Sequence, residues 1–126
     1  TYTMTRNPGT FKVGLAGAPV TDWRFYDTIY TERYMGLIDE NEDGYKKSSP
    51  INYAGDLEGE LMIAHSAMDD NVHMQNTMQL ITAFTNAGKD VALRIYPPGR
   101  HGVAYNRSSY FLLYETLTEF LQTHIN

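Results

Sequence analysis

The chain has 126 residues, enough for one small core, and its net charge of -5 with 42% hydrophobic residues lacks the basic stripe that nucleic-acid binding requires. With no cysteine, neither a disulfide framework nor a thiolate metal site is possible. No apolar run approaches the roughly 18 to 20 residues that span a bilayer, and residues 1–6 lack the apolar core of a signal peptide, so this segment is expected to meet neither nucleic acid nor membrane.

Residues 11–20 read as a short buried strand that Pro19 stops. Asp22 and Trp23 lead into residues 26–35, where Tyr26, Ile29 and Tyr30 at i, i+3 and i+4 predict a short aromatic helix. Residues 37–59 are dense in turn formers and read as loops. A second strand is predicted over 60–66. A helix follows in which Met74, Met78, Leu80, Ile81, Phe84 and Thr85 keep helical spacing, with Gly88 as its stop. The third strand, 91–96, halts at Pro97-Pro98-Gly99. Last comes a helix through Gln122 with Ser109 as its cap, and Leu112, Leu113, Leu117, Phe120 and Leu121 predict a broad buried stripe.

Strands alternating with helices imply an α/β fold: a mostly parallel sheet flanked by helices as a three-layer sandwich, with ligand chemistry collecting outside the carboxyl ends of the strands. Asp69 follows the second strand and His101 the third, and neighbouring strands lie about 5 Å apart, so a carboxylate can reach an imidazole nitrogen there. An acid after one strand and a His after the next form the tail of a Ser-Asp-His triad in α/β-hydrolase order. No Gly-x-Ser-x-Gly occurs in the sequence. The plainer alternative makes Asp69 a turn former, with Asp70 or Asn71 capping the helix that begins near Met74.

The wording of the segments adds to the spacing. Residues 11–20, Trp23, the string Tyr30-Thr31-Glu32-Arg33-Tyr34-Met35-Gly36, then Asp69-Asp70-Asn71-Val72-His73 and His101-Gly102 together resemble the prolyl oligopeptidase family of serine peptidases. The resemblance implies that residues 1–126 are the C-terminal part of an α/β-hydrolase catalytic domain, that residues 1–6 continue a helix, and that the nucleophilic Ser precedes Thr1. It makes Asp69 the triad acid and His101 the base. It assigns Val20, Trp23, Tyr26, Tyr30 and Val72 to a flat pocket for Pro or Ala before the scissile bond, with Tyr26 and Tyr30 facing each other. Asn71 would bond the carbonyl of the preceding substrate residue. The implied parent is an exopeptidase that releases N-terminal dipeptides and forms homo-oligomers, without cofactor or metal. Its expected compartment is periplasmic, secreted or surface-exposed.

One departure stands out: the family pattern has His-Gly where this chain has His65-Ser66. Ser66 lies in no glycine-flanked elbow and is no substitute nucleophile. His65 is read as structural, and His73 and His124 as surface or packing residues; no metal spacing links the four histidines. Arg100 matches no motif. Without nucleophile and oxyanion donors the isolated chain is expected to be inactive, because triad members act as a unit. Two other readings share these residues: an endopeptidase or acyl-peptide hydrolase of the same family, and a binding module that has lost the nucleophile.

Overall fold

In the computed structural model, which describes residues 1–125, three parallel strands lie in the order β1 (Val13–Gly17), β2 (Glu60–Ser66), β3 (Ala92–Tyr96). Leu15 sits opposite Met62, Ile63 opposite Leu93 and Ser66 opposite Tyr96, which brings the carboxyl ends of β2 and β3 level. The central strand is buried from Leu61 to Ser66, as a parallel strand covered on both faces requires, and its apolar run follows from that.

Alternate residues of β2 serve the two faces. Leu61 and Ile63 pack against Leu80 and Phe84 of α4 (Gln75–Asn86), Met4 of α1 (Tyr2–Arg6), Ala54 and Leu57. Ala64 joins Ala18, Tyr96, Val103 and Leu113 of α5 (Arg107–His124) on the other face. The result is the expected α/β class in three layers, with residues 2–6 helical. Among the described residues no helix is long and apolar enough to cross a membrane.

The segment expected to be loop is mostly helical. After α2 (Thr28–Met35) come a 3-10 turn at Ile38–Glu40, α3 (Glu42–Ser48) and a second 3-10 stretch at Pro50–Asp56. Its turn formers act as caps: the Asn41 side chain accepts from Gly44 N–H, Glu42 and Asp43 begin α3, and Lys46 and Lys47 end it, the order that suits the helix dipole. Tyr45 anchors α3, 2% exposed, with its hydroxyl donating to the Gly36 carbonyl at 2.7 Å.

Other boundaries shift for similar reasons. Asp27 accepts from Tyr30 N–H and caps α2, so Tyr26 lies outside the helix and does not share a helical face with Ile29, which is exposed. Instead Tyr30 and Tyr34, one turn apart, meet with ring centres 4.9 Å apart and planes tilted by 54°. Neither Asp70 nor Asn71 caps α4, whose N-cap position is Met74 without a side-chain bond. The buried face of α4 is Asn76, Thr77, Leu80 and Phe84, with Met78 exposed. Gly88 ends it at φ +69°, a conformation that favours glycine. In α5 the cap is Asn106, and Ser109 completes a reciprocal capping box at the third helical position. Of the predicted stripe of α5, Leu113 is buried, Leu117, Phe120 and Leu121 are half-buried, and Leu112 is exposed.

Candidate functional site

The acid turn is built from the end of β2. Asp69 N–H donates to the Ser66 carbonyl at 3.3 Å, folding the carboxylate back inside, where the residue is 4% exposed. One carboxylate oxygen, Oδ1, accepts from the backbone N–H groups of Asn71 and Val72, both at 2.9 Å. The other, Oδ2, faces His101 Nδ1 at 3.0 Å and His65 Nε2 at 3.1 Å. Four donors on two oxygens satisfy an ionised carboxylate fully. Burial pushes the Asp69 carboxyl up, but the bonds from His101, Asn71 and Val72 outweigh it and hold the group below its ordinary range.

His65 is the residue that sequence reasoning undervalued. It is fully buried, and its Nε2 also lies 2.9 Å from the Val72 carbonyl, so with two acceptors in front of it Nε2 carries the proton. Its Nδ1 then accepts from the Thr77 hydroxyl at 2.7 Å. A strand-end histidine thereby clamps the same oxygen that meets His101. The only sequence signal was a polar residue inside an otherwise apolar strand four positions before an Asp.

His101 stands on the loop after β3, its side chain 46% exposed, while the Asp69 side chain it touches is fully buried. Nδ1 is held by Asp69, and Nε2 has no partner among the described residues. Beside this pair Arg100 and Asp70 make an exposed ion pair at 3.0 Å that ties the two loops, a contact of small energetic weight. His73 is exposed and its ring accepts from Gln75 N–H; His124 bonds the Phe120 carbonyl one turn back.

The aromatic residues gather at the end of β1. Trp23 meets Tyr26 edge-on at 6.0 Å and stacks on Tyr30 at 5.9 Å, while Tyr26 and Tyr30 stand edge to face at 5.5 Å and 82° rather than ring to ring. Val20 and Trp23 line a neighbouring cleft of about 490 Å³ with Ala16, Pro19 and Pro50. Val72 is 3% exposed, and its backbone serves Asp69 and His65. Asn71 joins the two halves: its N–H bonds Asp69, and its side-chain oxygen accepts from the Tyr26 hydroxyl at 2.8 Å. That leaves the NH₂ end of the amide for another acceptor.

A buried polar frame, unforeseen in the sequence, fixes this wall. Thr21 N–H donates to Asn76 Oδ1 at 2.9 Å and the Thr21 hydroxyl to the Asn76 carbonyl at 2.7 Å, tying the loop after β1 to the start of α4. Asp22, 1% exposed, accepts from Arg24 N–H, Nε and Nη2, the last at 2.6 Å, and caps the 3-10 turn Trp23–Phe25. Burial pushes Asp22 up, and the hydrogen bonds and charge of Arg24 bring it below its ordinary range. Among the described residues no group of three His, Cys, Asp or Glu side chains could hold a metal ion.

Known proteins resemble this chain in sequence and in fold. Probable dipeptidyl-aminopeptidase B of Aspergillus terreus is 40% identical over 127 residues, and its namesake in Arthroderma gypseum 38%; each match covers 98% of this chain and 14% of the relative. The crystal structure of Porphyromonas gingivalis dipeptidyl peptidase 4 superposes with a TM-score of 0.93 at 43% identity over 97% of this chain and 17% of that one. A putative dipeptidyl aminopeptidase IV from Bacteroides ovatus gives 0.90 at 38% identity, covering 96% of this chain and 17% of its own. The chain thus spans about one-seventh of the length of the curated relatives it matches. Residues 1–126 match the model of the prolyl oligopeptidase family throughout, and with relatives this similar the chain belongs to that family.

Proposed function

We propose that this chain supplies the acid and base of a serine exopeptidase that releases N-terminal dipeptides with Pro or Ala in second position. The observation that carries the reading is the 3.0 Å contact of His101 Nδ1 with a buried Asp69 carboxylate whose other oxygen is already held by two backbone N–H groups. Such a carboxylate fixes the imidazole tautomer, so Nε2 is the basic nitrogen.

In acylation, Nε2 takes the proton of a Ser hydroxyl as its oxygen bonds the scissile carbonyl carbon. The imidazolium, stabilised by Asp69, then gives that proton to the amine as the C–N bond breaks. Water repeats the sequence on the ester and frees the dipeptide. The Ser and the oxyanion donors come from parts of the parent outside these residues, so the 126-residue chain alone is inactive.

Specificity rests on the aromatic wall. Trp23, Tyr26 and Tyr30 offer a flat apolar face that suits a pyrrolidine ring, and Asn71, with its oxygen occupied by Tyr26, presents an NH₂ donor to a substrate carbonyl. The names of the similar proteins, dipeptidyl-aminopeptidase B and dipeptidyl peptidase 4, support the dipeptidase over an endopeptidase.

The test is fluorophosphonate labelling and Gly-Pro-arylamide hydrolysis by the full-length parent and by this chain. Labelling and turnover by the parent alone are expected. Turnover by the isolated chain above buffer refutes its inactivity, and a parent that neither labels nor turns over is a binding module.

A further inference from the structure

We propose that Ser66 is a positioning residue for His101, an inference that rests on the reading of His101 as the base. Ser66 is the last residue of β2 and fully buried, and as His65's neighbour on a strand it addresses the opposite face of the sheet. Its hydroxyl donates to the Val103 carbonyl at 3.0 Å, across 37 positions of sequence. Val103 belongs to the turn that presents His101: its N–H donates to the Arg100 carbonyl at 2.9 Å, and His101 and Gly102 lie between.

That turn is strained. Val103 has φ +63°, a left-handed conformation that a β-branched residue adopts only as an outlier. Such a conformation persists where its surroundings over-determine it, and such residues cluster at functional sites. Three contacts do so here. The Val103 side chain is 6% exposed in the cluster with Ala18, Ala64, Tyr96 and Leu113; its N–H closes the turn; and its carbonyl accepts from the Ser66 hydroxyl. There is no slack in the arrangement, since a Cβ at Gly99 would collide with Ser66 Oγ and with the Val103 carbonyl. Consecutive residues at the end of β2 therefore govern both partners: His65 holds the Asp69 carboxylate, and Ser66 holds the turn that carries His101.

The experiment is steady-state hydrolysis of Gly-Pro-arylamide by the full-length parent carrying Ser66→Ala, with active sites counted by fluorophosphonate labelling. Expected is a fall in kcat of roughly tenfold per labelled site, with KM unchanged, since misplacing a base lowers turnover while leaving the binding wall intact. Val103→Gly, which relieves the strained φ and frees the turn, lowers kcat as well. The double variant loses less than the product of the two, because both act on one turn. Should Ser66→Ala fold poorly, Ser66→Gly and the melting temperature supply the same comparison. Unchanged kcat per site in Ser66→Ala or Ser66→Gly, or a loss that only tracks the folded fraction, overturns the proposal while the parent still turns over. A parent without turnover overturns the reading of the base, and the proposal with it.

Discussion

On the α4 side of the sheet Leu61, Ile63, Leu80 and Phe84 are buried side chains alike in kind. At the carboxyl ends of the same strands Asp22, His65, Ser66, Asp69, Asn76 and Thr77 are buried as deeply, and every one is polar. The first interior is held by area removed from water, at roughly 25 cal/mol per Å², and tolerates exchange among apolar side chains of similar volume. The second is held by matched donors and acceptors. Each bond there adds only about 1 kcal/mol net, but removing one partner strands the other without water. The apolar interior therefore sets how stable the chain is, and the polar end sets where a few atoms stand.

The largest break in that comparison comes from a change that alters charge while keeping shape. Asp69→Asn keeps the volume but puts an amide where four donors converge, and it cannot hold the required tautomer of His101. In the full-length protein kcat is expected to fall about 10⁴-fold, by analogy with a triad acid, with a much smaller shift in melting temperature. Gly-Pro-arylamide kinetics beside thermal melting checks both. A fall of only a few-fold would show that Asp69 is a turn former after all.

Phe84→Ala does the converse. Phe84 is 1% exposed in the apolar cluster, and its truncation leaves a cavity costing roughly 3–5 kcal/mol. Thermal melting should drop, while kcat per labelled site stays constant. A change in kcat as large as the first variant's would mean that the two interiors are one mechanical unit.

How much of this was legible followed from the same division. The apolar runs at 60–66 and 91–96 marked two strands, and the acid and His just beyond them fell at their ends because parallel strands with matched register bring those ends level. The polar frame was illegible, because Thr21, Asp22, Ser49, Asn76 and Thr77 look like surface residues until their partners, often tens of positions away, are known. Local polar chemistry misled too. Asn41 and Pro50 read as loop formers, yet in place Asn41 caps α3 and Pro50 starts a 3-10 stretch. Ser109 looked like a cap but supports Asn106 from inside the helix.

Acid separates the two interiors without mutation. Asp22 and Asp69 have folded-state pKa values below their ordinary value of 3.8, so the stability they contribute is complete above that value and is lost as pH falls through the lower one. The apolar cluster has no such dependence. Melting of the full-length protein should therefore fall steeply below about pH 4, and less steeply in Asp22→Asn, whose midpoint is lower at neutral pH. An equal slope in that variant would assign the acid sensitivity to other carboxylates.

The smallest expected effect sharpens the comparison at its boundary, where the polar end meets solvent. The Tyr26 hydroxyl bonds the side-chain oxygen of Asn71 in an exposed setting, so Tyr26→Phe removes one bond that water can replace. Stability should change by no more than about 0.5 kcal/mol. What the bond fixes is the direction of the Asn71 amide, and on the proposed function a rotated amide would meet the substrate carbonyl with the wrong end. KM for Gly-Pro-arylamide should therefore rise a few-fold at constant kcat, since Asn71 N–H still donates to Asp69 through the backbone. A fall in kcat instead would mean that the side chain of Asn71 helps to hold the acid, and that the pocket wall and the acid turn act as one element.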